Sequence, residues 1–140
     1  MFIFSSLTHK NVLQFYGIYT SPENVKYIVT EYLNKGALRD LLLEEYNTIA
    51  VSDLISMYKR FFLAFVNCFF RCLDIASGMA YIADCKIVHS DLAARNVLMT
   101  VSDNGNCKYL AKIGDLGLGK VVRDDANYYT SNNKSIPVKW

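Results

Sequence analysis

Val88-His89-Ser90-Asp91-Leu92-Ala93-Ala94-Arg95-Asn96 carries the densest chemistry in this 140-residue chain. It sets a carboxylate and a carboxamide five positions apart, with a guanidinium next to the amide, inside one short segment bounded by apolar residues. His89, Ser90 and Asp91 are also consecutive, which invites a nucleophile, base and orienter relay. Geometry excludes that relay. Neighbouring side chains of an extended segment point to opposite faces, so three adjacent residues cannot line up in sequence toward one substrate atom.

The segment resembles the catalytic loop of protein kinases, whose pattern is His-Arg-Asp-x-x-x-x-Asn. Asp91 and Asn96 fill the acid and amide places, and Ser90 stands where the pattern has Arg. The wording Leu92-Ala93-Ala94-Arg95-Asn96 resembles the protein tyrosine kinases in particular. The resemblance implies that Asp91 takes the proton of the substrate hydroxyl and that Asn96 holds a magnesium ion on the phosphates of ATP. It places Arg95 near the transferred phosphoryl group, where a planar fork of donors suits phosphate oxygens.

Downstream, Lys112-Ile113-Gly114-Asp115-Leu116-Gly117-Leu118 resembles the family's Asp-Phe-Gly element, with Leu116 for Phe. The resemblance makes Asp115 a second magnesium ligand. The same residues, Gly114 to Lys120, also spell G-x-x-x-x-G-K, the core of a phosphate-binding P-loop. Val121 offers no hydroxyl to a metal, Asp115 would put negative charge in a phosphate cradle, and Val121-Val122-Arg123 reads as strand. The P-loop is set aside on these grounds. Asp124 to Ser131 is polar, lacks periodicity and resembles an activation loop, with Tyr128 and Tyr129 as acceptors whose added phosphate needs basic partners. In Ser135-Ile136-Pro137-Val138-Lys139-Trp140, the resemblance makes Pro137 the shelf for a substrate tyrosine ring.

Upstream, Leu7 to Ile18 resembles the turn and strand after the regulatory helix, and His9 within it reads as structural. Tyr27-Ile28-Val29-Thr30 alternates aromatic and β-branched residues like a strand. It leads into Glu31-Tyr32-Leu33-Asn34-Lys35-Gly36, which resembles the hinge between kinase lobes. By that resemblance Thr30 lies at the back of the adenine pocket, the backbone of Glu31 and Leu33 bonds the adenine edge, and Leu98 forms the floor. Leu38, Leu41 and Leu42 continue at helical spacing. Asn104-Gly105 between β-rich runs predicts a hairpin that carries Asn96 and Asp115 to neighbouring positions.

The family's Gly-rich loop, strand Lys, helix Glu and Ala-Pro-Glu segment do not occur in these residues, so the resemblance covers about the middle half of a domain of ordinary size. Tyr58 to Arg71, rich in Phe, interrupts what the resemblance makes one long helix from Asp53 to Ile82. About fourteen inserted residues at about 100° each come to just under four turns, which keeps the buried stripe nearly in phase while adding about 21 Å of length. A membrane span is disfavoured, because Phe61 to Phe70 is about half the ~20 residues required and Asn67 interrupts it. A partner-binding helix is a second reading. The mismatch with the resemblance favours a third, translated non-coding sequence.

Net charge of +2 is too small to imply nucleic acid, and 52% apolar residues suffice for a core. The four cysteines show no C-x-x-C pairing, so they read as free thiols of a reducing compartment and the expected location is cytoplasmic. The expectation is an α+β, partial kinase-like fold over residues 1–140: an incomplete small lobe and the upper part of a helical large lobe. Its implied reaction is transfer of the ATP γ-phosphoryl group to a protein tyrosine, with ATP and Mg²⁺ as cofactors. Without the phosphate lid and strand Lys, the chain alone is expected to be a poor enzyme. The alternative is a non-catalytic, pseudokinase-like interaction module.

Overall fold

The structure is a computed structural model that describes residues 6–47, 54–102 and 109–121. Tyr128, Tyr129, Pro137 and the Asn104-Gly105 turn lie outside the described residues. Strands β1 (Phe15–Thr20) and β2 (Lys26–Thr30) form an antiparallel hairpin. Its turn closes through Ser21 N–H to Val25 O (2.8 Å) and Asn24 N–H to Ser21 O (2.9 Å). Asn24 sits at φ 61°, a left-handed conformation that Asn tolerates because its short amide can bond locally. Most of this hairpin is exposed on both faces.

Helix α1 (Leu38–Asn47) follows the hinge. Gly36, at φ 65°, makes the turn that lets Lys35 N–H reach Met99 O and Met99 N–H reach Gly36 O. That turn sets α1 under the second hairpin, where Leu38 and Leu41 bury against Val97, Met99 and Ala111. The expected spacing of Leu38 and Leu41 is therefore the core face, while Leu42 points outward.

Helix α2 (Leu54–Asp84) runs unbroken for 31 residues through the Phe-rich stretch. At 100° per residue, Ile75, Gly78 and Ile82 share one face. That face packs on the core of Leu7, Val12, Ile87, Ile113 and Leu116. Phe62, Phe65, Phe69 and Leu73 fall within about 80° of each other on roughly the opposite side, each about half exposed or more. The Phe-rich stretch is thus continuous with the core-facing part of the same helix.

The 20-residue stretch Phe65–Asp84 reaches a mean hydropathy of 1.2, enough by length and composition to cross a bilayer. Counting only Phe61 to Phe70 understates the apolar run, because Ile75, Met79 and Ile82 extend it. In this fold those three residues contact the core instead.

Strands β3 (Ile87–Val88) and β6 (Lys120–Val121) pair briefly, and β4 (Val97–Val101) pairs antiparallel with β5 (Tyr109–Ile113). The outer edge of β5 is covered by three groups. Asn11 Nδ2 donates to Ala111 O (3.0 Å), Ala111 N–H donates to Asp74 Oδ2 (3.0 Å), and Val12 bridges Ile113 in parallel. Asn11 O also accepts from Ile113 N–H at 2.9 Å.

Gly78 is what allows α2 to lie this close. A Cβ there would stand 2.5 Å from Asn11 O and 2.9 Å from Ile113 Cδ1. Gly78→Ala is therefore expected to lower unfolding stability by about 1–3 kcal/mol, the usual cost of forcing a methyl into packed surroundings. Gly17→Ala, where nothing lies within 4 Å, is the control in the same urea titration.

Candidate active site

The segment between β3 and β4 is short and bent by two features. Ser90 adopts φ 67°, and a 3₁₀ turn spans Ala94–Asn96. His89 is buried at the centre. Its Nδ1 accepts from Asp91 N–H (3.3 Å), so its Nε2 carries the proton and donates to Gly114 O (3.0 Å). One imidazole thereby holds the Asp91 loop against the backbone before Asp115. The Ser90 hydroxyl is buried and has no partner among the described residues. That leaves no Ser-His contact and agrees with the exclusion of a triad.

Both oxygens of Asp91 are engaged. Arg95 Nη2 donates to Oδ1 at 2.6 Å, and Asn96 Nδ2 donates to Oδ2 at 2.9 Å and to Asp91 O at 2.8 Å. The Arg95 hydrogen bond holds the Asp91 carboxyl below its ordinary range. Partial burial opposes that effect, while the Asn96 bond and the charge of Arg95 reinforce it. Asp91 is thus ionised at neutral pH. With both Asn96 N–H bonds spent on Asp91, the amide Oδ1 of Asn96 is left as an acceptor facing elsewhere.

The β4–β5 ladder ends at Val97↔Ile113, and Gly114 N–H continues it by donating to Asn96 O at 2.7 Å. Asp115 is the next residue, so its backbone leaves the ladder beside Asn96. Asp115 takes a left-handed conformation (φ 53°, ψ 61°), and its Oδ1 accepts from Gly117 N–H at 3.3 Å. Leu116, which follows, is buried in the core. A 3₁₀ turn spans Leu116–Leu118 and is followed by strand β6 rather than a helix. A P-loop opens a helix at this point, so the structure bears out its exclusion. Two non-glycine residues at positive φ, Ser90 and Asp115, thus flank the same site, a pattern of local strain associated with function.

At the hinge, Thr30 Oγ1 donates to Glu31 O (3.2 Å) and Glu31 N–H donates to Gln14 O (3.0 Å). The Glu31 carbonyl keeps a second lone pair, and the Leu33 N–H has no partner among the described residues. Leu98 lies against Gly114: a Cβ on Gly114 would be 3.5 Å from Leu98 Cδ1. The structure therefore groups Asp91, Arg95, Asn96, Leu98 and Asp115 around the base of the second hairpin. Thr30, Glu31 and Leu33 form the strand end and loop above it.

A cavity of about 700 Å³ touches Glu31 and Leu33 but none of Asp91, Asn96, Leu98 or Asp115. It is walled instead by Phe70, Leu73, Asp74, Tyr109 and Lys112, which places it behind the hinge, away from the chemistry.

Sequence reading missed Lys112. Its Nζ sits 2.7 Å from both Glu31 carboxylate oxygens, and Glu31 Oε1 also accepts from Gln14 N–H at 2.8 Å. No local pattern links residues 81 positions apart. Asn11 was likewise read only as part of a turn, although its amide and backbone both bond β5.

A family profile described as protein tyrosine and serine/threonine kinase matches residues 1–140. The chain belongs to this kinase family. Its similar relatives include ephrin type-A receptor 5 of Gallus gallus, 33% identical over 139 residues, which make up 99% of this chain and 12% of the receptor. Tyrosine-protein kinase SRK2 of Spongilla lacustris is 34% identical over 138 residues, 99% of this chain and 32% of that protein. Protein-tyrosine kinase 6 of Mus musculus is 33% identical over 135 residues, 96% of this chain and 25% of that protein. The chain therefore spans a third or less of these relatives. The α+β, incomplete kinase-like fold expected from the sequence agrees with both the match and the arrangement of helices and strands.

Asn96 and Asp115, an amide and a carboxylate next to the same hairpin end, carry hard oxygen donors of the chemical kind that magnesium takes. The pH behaviour has a definite sign. A depressed Asp91 pKa stabilises the fold above the unfolded value of about 3.9, and the stabilisation is lost as pH falls through the lower folded value. Arg95→Met is expected to move the Asp91 titration midpoint upward toward about 3.9. Carbon-detected NMR of the side-chain carboxyl measures it, and an unchanged midpoint would contradict the assigned hydrogen bond.

Proposed function

We propose that this chain carries the central machinery of a protein tyrosine kinase, transferring the γ-phosphoryl group of ATP to a tyrosine hydroxyl of a protein. The observation that carries this reading is the convergence of Asp91, Asn96 and Asp115 at one end of the β4–β5 hairpin through the Asn96–Asp91 and Gly114–Asn96 bonds. In this reading Asp91, kept ionised by Arg95, accepts the phenol proton. Arg95, about half exposed, can swing from Asp91 toward the transferring phosphoryl oxygens, for which its fork of donors is suited. Asn96 Oδ1 and the Asp115 carboxylate hold Mg²⁺, which neutralises phosphate charge when bound. The Leu33 N–H and Glu31 carbonyl supply one donor and one acceptor to the adenine edge, with Leu98 beneath the ring and Thr30 behind it. Tyr128 and Tyr129 are the phosphorylation sites of the activation segment, and Pro137 seats the substrate ring. The chain works in the cytoplasm.

Catalysis of this type is positioning and electrostatics. These 140 residues contain no Gly-rich loop or strand Lys to hold the phosphates, so turnover by this chain alone is low.

The exposed row of Phe62, Phe65, Phe69 and Leu73 favours a second reading, a non-catalytic module that binds partners through uncovered apolar surface. Thermal melting with ATP and Mg²⁺ separates the two. Nucleotide at about 100 times its Kd stabilises by about 2.7 kcal/mol, and Asp115→Ala is expected to abolish that gain. Absence of any saturable shift in the unsubstituted chain would remove the catalytic reading.

A further inference from the structure

Cys68 and Cys72 stand one turn apart on α2, and both are exposed. On a continuous helix this spacing brings the two Cβ atoms to about 5–6 Å on one face. Burial pushes the Cys72 thiol above its ordinary range, and the charge of Cys68 and a hydrogen bond with it add to the rise. The i, i+4 spacing on one helix face thus sets the two thiols side by side. Phe65 and Phe69 occupy the adjoining strip of the helix surface and are more than half exposed.

Three chemistries are open to such a pair. Disulfide formation needs Cβ atoms about 3.5–4.5 Å apart, which an intact helical turn does not supply. A tetrahedral divalent ion needs four ligands, and no group of three or more His, Cys, Asp or Glu side chains gathers among the described residues. A monosubstituted trivalent arsenical needs only two sulfurs, because carbon fills its third position. We infer that Cys68 and Cys72 form a chelating dithiol site for trivalent arsenicals bearing an aromatic substituent, with Phe65 and Phe69 receiving the ring. In the reaction each As–O bond of the hydrated arsenical, R–As(OH)₂, is replaced by an As–S bond. Each thiol proton leaves with a hydroxide as water, and arsenic stays trivalent with nothing oxidised or reduced. The site rests on the helix alone and stands independently of kinase activity.

The test is phenylarsine oxide binding to the full chain in excess 2-mercaptoethanol, read by native mass spectrometry with reversal by 2,3-dimercaptopropanol. One arsenical per chain is expected. Cys68→Ser and Cys72→Ser should each weaken binding about 100-fold, the loss of an intramolecular second bond. Cys85→Ser with Cys107→Ser should leave binding unchanged. A decisive variant combines Cys72→Ser with Leu73→Cys, which keeps the thiol count but turns one sulfur by about 100° around the helix. Far-UV circular dichroism confirms that α2 is retained in each variant. Weakened binding by this variant supports the site. Undiminished binding by it, by either single serine variant, or two arsenicals on the unsubstituted chain would overturn it.

Discussion

The register of β4 against β5 is the constraint on which the candidate site depends. Five pairs, from Val97↔Ile113 to Val101↔Tyr109, are fixed, and side chains alternate between faces along each strand. A slip of one residue would turn Met99 and Ala111 from the core to the outside and carry Asn96 away from Gly114. The register is held from both sides. Leu38 and Leu41 press on one face, while Asn11 and Asp74 bond the free peptide groups of Ala111 along the outer edge. Those edge bonds leave less unpaired strand for another chain to add to.

A second constraint acts through His89. It is buried and bonded on both nitrogens, so it ties the Asp91 backbone to Gly114 and holds the acid and the second carboxylate in one frame. The cost is borne by the backbone, which takes left-handed conformations at Ser90 and Asp115. Asp115 offsets part of that strain with its own bond to Gly117 N–H. Ser90 has no such bond, and its unpaired hydroxyl is the least well-satisfied group in the loop.

Elements written in local pattern were legible in the sequence. Alternation gave β2, the Leu spacing gave the buried face of α1, and the two β-rich runs gave the paired strands that bring Asn96 toward Asp115. Asp91, Arg95 and Asn96 were legible as a group because six consecutive positions of one loop carry them. Contacts between distant positions were not legible. The Glu31–Lys112 pair, the Asp74 cap on Ala111 and the approach of Gly78 to Asn11 each join segments with no shared periodicity. The Phe-rich stretch was legible as helix, but its two opposed apolar faces emerge only once the core shows which face is already occupied.

Glu31 is pinned at four points: its N–H to Gln14, one carboxylate oxygen to the Gln14 N–H, both oxygens to Lys112, and its carbonyl to Thr30. Segment 11–13 is itself bonded to Ile113, so the foot of the first hairpin is bolted to β5 from two directions. A rocking motion of that hairpin cannot pivot at Glu31. The loop that follows is moored elsewhere, with Leu33 O accepting from Gly36 N–H and Asn34 Oδ1 from the Thr100 hydroxyl, both at 3.4 Å, so its ties run to its own turn and to β4 and not to the Asp115 segment.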